Sequence, residues 1–177
     1  MTTLVVMHTG QLRPGVLSAV RNLLDGVFGE ELTDEDWEHC LGGMHALVWA
    51  GSDLIGHASL IQRRLLHRGR ALRTGYVNGV GVRADLRRRG HGAAMMSALE
   101  QLAAGVYELA ALGATDEAAA FYAARGWCQW QGPTSVLTPA GIVRTPEEDD
   151  SVYVFPFSVQ LDLRAELTCD WRSGDAW

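Results

Sequence analysis

The chain contains no lysine, so all fifteen of its basic residues are arginine. It has only three cysteines, Cys40, Cys128 and Cys169, widely spaced and without a C-x-x-C pair or a neighbouring histidine cluster. Such a set excludes a disulfide framework or a zinc ribbon as the basis of the fold, and the thiols read as reduced and structural. No apolar run reaches the roughly 18–20 residues needed to cross a bilayer. The N-terminus lacks a basic segment followed by a continuous apolar stretch, so no leader and no membrane partner are expected, and a cytoplasmic location is. Repeats, low-complexity tracts and linkers are also missing. What is present, 177 residues that are 47% hydrophobic and 20% charged, fits a single soluble domain, 1–177, with a substantial core.

An excess of positive charge is missing as well. The net charge is -6, and the arginines have few aromatics among them, which argues against a nucleic-acid partner. The charge is segregated, however. Nine arginines lie between Arg63 and Arg89, where Asp85 is the only acid. Glu30, Glu31, Asp34, Glu35, Asp36 and Glu38 form one acidic run and Glu147 to Asp150 another, followed by Asp162, Glu166, Asp170 and Asp175. These runs are either solvated faces or two sites of opposite sign, a basic one for a phosphorylated cofactor and an acidic one for a cationic substrate.

Periodicity predicts a short strand at Leu4–Met7 and a helix over Val16–Phe28. A second short helix is predicted after Thr33, an N-cap with Asp36 three residues on, and Gly42-Gly43 ends it. Three β-type runs follow, Ala46–Trp49, Leu54–Ile61 and Leu72–Val82, separated by Gly51-Ser52-Asp53 and His67-Arg68-Gly69, which predicts an antiparallel meander. Ala93–Ala103 reads as a helix, Val106–Leu112 as a strand, Asp116–Ala124 as an Ala-rich helix and Trp127–Trp130 as a strand. Val152–Leu163 reads as an extended segment interrupted by Pro156. The fold class predicted is mixed α/β, a largely antiparallel sheet flanked by helices.

Between the strand ending at Val82 and the helix near Ala93 lies Arg83-Ala84-Asp85-Leu86-Arg87-Arg88-Arg89-Gly90-His91-Gly92. The glycines let successive N–H groups converge on phosphate oxygens, and the helix start adds the positive end of its dipole. Arginines supply charge-assisted hydrogen bonds. This Arg-x-x-Gly-x-Gly segment resembles the acetyl-CoA-binding motif of the GNAT superfamily of N-acetyltransferases. The resemblance implies the GNAT fold and acetyl-CoA as cofactor, with Arg87, Arg88, Arg89, Gly90, His91 and Gly92 at the pyrophosphate and backbone groups of Val80 and Val82 at the pantetheine arm. Phe121-Tyr122-Ala123-Ala124-Arg125-Gly126-Trp127 is similar to the superfamily's second signature, which implies Tyr122 as the general acid for the leaving thiolate.

A longer resemblance runs over nearly the whole chain. Asp36-Trp37-Glu38-His39, Leu41-Gly42-Gly43-Met44-His45-Ala46-Leu47, Ile61-Gln62-Arg63, Gly75-Tyr76-Val77 and the stretch Cys169–Trp177 are similar to the aminoglycoside 2′-N-acetyltransferases. By that resemblance Glu31, Asp36, Glu148, Asp175 and the α-carboxylate of Trp177 line an acceptor pocket, and a homodimer is expected. An aminoglycoside is a polycation, and since one exposed pair contributes only about 0–1 kcal/mol, several carboxylates must act together. Two positions depart from the family. Asn78 stands where relatives carry a glutamate that takes the amine proton, and an amide is no base at neutral pH. Gly113 stands where they carry a hydroxyl residue. Both suggest an altered acceptor, such as kasugamycin. The alternatives are a GNAT enzyme for another small amine and a protein that sequesters cationic drugs without acetylating them.

His39, His45 and His57 lie within helix and strand patterns, which favours packing or hydrogen bonding over a metal site. Cys40 and Cys128 have no evident histidine and carboxylate partners for nucleophilic work.

Overall fold

In the computed structural model, which describes residues 1–177, the chain folds as ten strands and four α-helices. It divides into two compact units, Met1–Ile61 with Val77–Leu102, and Gln62–Tyr76 with Ala103–Trp177.

The first unit begins with β1 (Thr2–His8) and α1 (Pro14–Phe28). Pro14 occupies the first turn of α1, where its missing N–H costs nothing. Val20, Leu23 and Leu24 form the buried stripe of that helix, and Gly29 ends it at φ 61°. The predicted cap at Thr33 is present and opens α2 (Asp34–His39): its hydroxyl accepts from the Asp36 N–H at 3.1 Å, and Asp36 accepts from the Thr33 N–H at 3.0 Å. This reciprocal capping box satisfies two orphan donors. The strand β2 (Met44–Ala50) then pairs antiparallel with β1 on one side and with β3 (Asp53–His67) on the other. A Cβ at Gly43 would lie 2.2 Å from the Leu60 carbonyl oxygen, so only glycine lets the chain enter β2 at that point.

Both β3 and β4 (Arg70–Val82) run through the two units, turning at Arg68 and Gly69 with φ of 50° and 75°. Two consecutive left-handed residues suit a tight hairpin turn. After the arginine-rich loop, α3 (His91–Val106) buries Met95, Met96, Leu99 and Ala103. The predicted strand from Val106 starts later, because α3 continues through Val106 and β5 occupies Leu109–Gly113.

In the second unit β5 pairs parallel with β4, from Thr74 with Leu109 to Tyr76 with Ala111. A parallel pair needs a long crossover, and α3 supplies it. Then come α4 (Asp116–Ala124), β6 (Cys128–Gln129), β7 (Thr134–Thr138), β8 (Gly141–Arg144), β9 (Val152–Pro156) and β10 (Leu167–Asp170). The strand order is β6-β9-β5-β4-β3-β10-β7-β8. Its core gathers Leu65, Tyr76, Leu109, Trp130, Val154 and Trp177, among others. The extended segment predicted over Val152–Leu163 is a strand only as far as Pro156, since a proline cannot continue the ladder. The expected mixed α/β class with a mostly antiparallel sheet is what the chain adopts.

Candidate active site

The basic loop sits in the first unit. Arg88 and Gly90 are both left-handed, with φ of 59° and 85°. The first helical bond of α3 is Ala94 N–H to Gly90 O at 2.9 Å, so the N–H groups of His91, Gly92 and Ala93 precede the helical ladder. Arg87, Arg88, Arg89 and Gly90 are exposed. Arg83 instead pairs with Asp85 at 2.8 Å, and the Arg87 Nε donates to the Val82 carbonyl at 3.1 Å. N–H groups ahead of the helical ladder, a helix start and exposed cations suit a polyanionic pyrophosphate.

The arginine concentration read from the sequence is not one surface. Arg63 is 5% exposed and bonded to Asp170, through Nε at 2.7 Å and through Nη2 to the main-chain oxygen at 2.8 Å. Arg68 pairs with Asp162, Arg70 with Glu108, and Arg73 donates to the Val106 carbonyl at 2.7 Å. These four hold the second unit together, which leaves the exposed loop arginines as the phosphate candidates.

At the end of β4, Asn78, Gly79 and Val80 are half-buried. The Asn78 amide donates to the His39 carbonyl at 3.3 Å, and the His39 ring lies 3.9 Å from Asp36. Asn78 and Asp36 therefore flank the same residue. Glu31 is exposed on a helical turn at Gly29–Glu31, and Asp36, one-third exposed, caps α2 through one carboxylate oxygen. His45 and His57 form a buried hydrogen-bonded pair at 2.9 Å. Burial lowers both, His45 to about 4, with further help from His8, and His57 to about 3, with further help from His45.

The acceptor candidates of the second unit converge. Trp177 is buried, its indole N–H donates to the Thr145 hydroxyl at 3.0 Å, and its main-chain N–H donates to Asp175 at 3.0 Å. Arg172 donates to the Trp177 main-chain oxygen and to the Asp175 carbonyl, the latter at 2.8 Å. Glu148 is half-buried and accepts from the Ser151 hydroxyl at 2.7 Å. Burial pushes its carboxyl up, and the charge of Asp175 pushes it further. The charge of Asp175 thus opposes the ionisation of Glu148, a tension that a bound cation relieves.

Asp149 anchors the turn that carries Glu148. It accepts from the Thr134 N–H and hydroxyl, both at 2.8 Å, and pairs with Arg144 at 2.8 Å. Arg144 first, and then Thr134, hold its carboxyl down at about 2, against an ordinary 3.8. A depressed folded value stabilises the fold above the unfolded pKa, and that stabilisation is lost as pH falls through the folded one. Asp149→Asn is expected to cost about 1–2 kcal/mol at neutral pH after allowance for solvent screening. In urea titrations at stepped pH the gap to the wild type should narrow between about 3.8 and about 2. A gap independent of pH would contradict this role.

Tyr76 and Gly113 shape the same region. The Tyr76 hydroxyl is buried without a hydrogen-bond partner, and the guanidinium groups of Arg63 and Arg172 stack over its ring at 4.8 and 5.4 Å. A Cβ at Gly113 would sit 3.7 Å from that hydroxyl and 3.9 Å from the Trp177 main-chain carbon, in ordinary contact. Gly113→Ser would give the hydroxyl a partner, and we expect a gain of about 0.5–1.5 kcal/mol in thermal unfolding. An unchanged or lower melting temperature would show that the new oxygen does not reach it. Gly113 stood out in the sequence, whereas Tyr76 and Arg172 did not, since their roles rest on contacts across the fold.

Tyr122, on α4, is 5% exposed and caged by Phe121, Trp127 and Tyr153, with ring centroids 5.1, 6.0 and 6.4 Å away. Burial pushes its phenol up to about 12, so the hydroxyl keeps its proton at neutral pH. Cys128 is exposed rather than structural, while Cys40 and Cys169 are buried, and none is in a disulfide.

Known proteins share this fold and sequence. The acetyltransferase (GNAT) domain family matches residues 11–129. The aminoglycoside 2'-N-acetyltransferase of Mycolicibacterium fortuitum is 48% identical over 176 residues, 97% of this chain and 90% of that protein. Among solved structures, ElaA of Escherichia coli superposes with a TM-score of 0.62 at 18% identity, covering 88% of this chain and 99% of the other. An acyl-CoA N-acyltransferase from Pseudomonas aeruginosa gives a TM-score of 0.61 at 16% identity, covering 88% and 99%. The chain is a member of the GNAT superfamily and, within it, of the aminoglycoside 2'-N-acetyltransferase family.

Proposed function

We propose that the protein acetylates the 2'-amino group of an aminoglycoside antibiotic, using acetyl-CoA, within a single acetyltransferase domain. The observation that carries the reading is the convergence of Glu148, Asp175 and Trp177 in a chain that also has the exposed Arg-x-x-Gly-x-Gly turn. An acidic cluster suits a polycation, and the loop suits a pyrophosphate.

Acetyl-CoA, when bound, supplies the acetyl group as an activated thioester. Arg87, Arg88 and Arg89, with the N–H groups of Gly90, His91 and Gly92, hold its pyrophosphate, and backbone groups of Val80 and Val82 orient its pantetheine arm. The Val80 N–H polarises the acyl oxygen, as a preorganised donor does best in a water-poor site. Tyr122 holds the proton that the departing thiolate requires. Glu31, Asp36, Glu148, Asp175 and the α-carboxylate of Trp177 attract and orient the substrate amines. That charge also favours the ammonium form, so a proton acceptor is needed. Asn78 cannot be that acceptor, because its amide donates to His39 and an amide is not basic. Asp36, Asp175 or the Trp177 carboxylate takes the proton, directly or through water, while Asn78 orients the amine. Asn78 and Gly113 favour an atypical acceptor such as kasugamycin over gentamicin- or tobramycin-type drugs. The protein works in the cytoplasm as a homodimer.

Mass spectrometry of acetyl-CoA-dependent products tests this with kasugamycin, gentamicin and tobramycin. One added acetyl group is the expected outcome, with kasugamycin turned over fastest. Equal rates on all three would remove the atypical-acceptor reading. Asn78 keeps a second reading in view, a drug-sequestering protein, for which binding without product is the signature.

A further inference from the structure

A run of hydrogen bonds in the first unit ends on the peptide that the acetyl-transfer reading needs most. The His57 Nδ1 lies 2.8 Å from the Gly79 carbonyl oxygen, the His57 Nε2 lies 2.9 Å from the His45 Nδ1, and the His45 Nε2 lies 2.7 Å from the Thr9 hydroxyl. The Thr9 oxygen accepts in turn from the Gly42 N–H at 2.9 Å. A carbonyl can only accept, so the His57 Nδ1 must carry hydrogen. Its neutral ring then offers a lone pair at Nε2, which obliges the His45 Nδ1 to donate. The His45 Nε2 is therefore an acceptor, and Thr9 gives it its single proton in preference to the Gly43 carbonyl, which is farther away at 3.2 Å. Every bond thus points one way, from Gly42 to Gly79, and the two tautomers are fixed without a charge.

The far end acts on the backbone of β4. His57 and Ser59, two residues apart on β3, take consecutive carbonyls: Ser59 donates to Asn78 O at 3.1 Å and His57 holds Gly79 O. Successive carbonyls of a regular strand point to opposite sides, so β4 is locally irregular here, consistent with the Gly79 φ of 57°. A Cβ at Gly79 would lie 2.7 Å from the Cys40 Sγ, which leaves glycine as the only residue that fits. No peptide in the chain is cis, and in a trans peptide C=O and N–H point in opposite directions. Holding the Gly79 oxygen toward His57 therefore aims the Val80 N–H the opposite way.

We propose that His57 is a positioning residue for acetyl transfer, which aims the Val80 N–H at the acyl oxygen by holding the Gly79 carbonyl, and that Thr9 and His45 fix the tautomer it needs for this. The inference rests on the acetyl-transfer reading above. It assigns no proton-transfer role to either histidine, because a backbone carbonyl cannot pass a proton on.

The test uses the full chain with His57→Leu, His57→Asn and Thr9→Val. An asparagine places its amide nitrogen the same number of bonds from the backbone as the imidazole Nδ1, so it can still donate to Gly79. In the ligand-free protein, nitrogen-15 NMR should find both His45 and His57 as Nδ1–H tautomers. With acetyl-CoA and a competent aminoglycoside, His57→Leu should lower kcat by about 10- to 100-fold, a loss approaching that of one oxyanion donor. The KM for acetyl-CoA should stay within about threefold, since ground-state binding is untouched. His57→Asn should recover most of the loss, and Thr9→Val should show a smaller one. The carbonyl stretch of a bound, non-transferable ketone analogue of acetyl-CoA should shift toward its unpolarised frequency in His57→Leu and Thr9→Val but not in His57→Asn.

An Nε2–H tautomer at His57, an unshifted carbonyl stretch, or asparagine as poor as leucine would overturn the proposal. If His57→Leu does not fold, the tautomers and the partly exposed Thr9→Val decide the matter. Failure of the wild type to acetylate any aminoglycoside would overturn the acetyl-transfer reading instead, while the tautomers and the analogue's stretch would still report on His57.

Discussion

Trp177→Ala is expected to cost about 3–5 kcal/mol, the usual result of emptying a buried aromatic site. The indole is 5% exposed, packs in the core with Tyr76, Trp130 and Val154, and donates to Thr145 at 3.0 Å. Its loss leaves a cavity and takes one donor from the Thr145 hydroxyl, which keeps its own bond to the Thr134 hydroxyl at 3.0 Å. Domains of this size have about 5–15 kcal/mol in all, so the variant should approach the unfolding threshold. Denaturant titration would show a large fall in midpoint. The same change should weaken acceptor binding more than acetyl-CoA binding, because Trp177 fixes Asp175 through its N–H and is held by Arg172. A small shift in midpoint would mean that the indole is only docked on the surface.

Tyr122→Phe is expected to act on the chemistry proposed for this hydroxyl and to leave packing nearly intact. Removing one oxygen from a caged ring keeps its contacts with Phe121, Trp127 and Tyr153, so stability should change by less than about 1 kcal/mol. The value for kcat should fall by about 100-fold or more, the range for a lost general acid. With the phenol pushed up to about 12 by burial, the wild type should show no loss of this proton from pH 6 to 9, and any alkaline limb in kcat should not be that of Tyr122. Steady-state rates on the best aminoglycoside would decide it. A variant with unchanged kcat would move the proton to another donor.

The features legible from sequence are those written in a few consecutive residues. The cap of Thr33 and Asp36, the hairpin at Arg68-Gly69 and the glycine-bearing turn before α3 are short-range backbone constraints, and each is found where its residues predicted it. β7, β8 and β10 were not legible. β8 is exposed throughout and shows no burial pattern, while β10 is four residues long and gains its place by pairing with β7 and β3. The charge pattern was legible only as a total, because sequence cannot say which charges will meet. Arg63 is neutralised by Asp170, which is distant along the chain, whereas the arginines at 87–89 remain outside. The same holds for the site. Sequence alone pointed to the family and to an arginine- and glycine-rich loop between a strand and a helix. Only the tertiary structure decided which contacts hold Glu148, Asp175 and Trp177, that the Tyr76 hydroxyl is buried and unpartnered beside Gly113, and that His57 reaches Gly79. Those are long-range contacts, fixed when the core closes and not by any local run of residues.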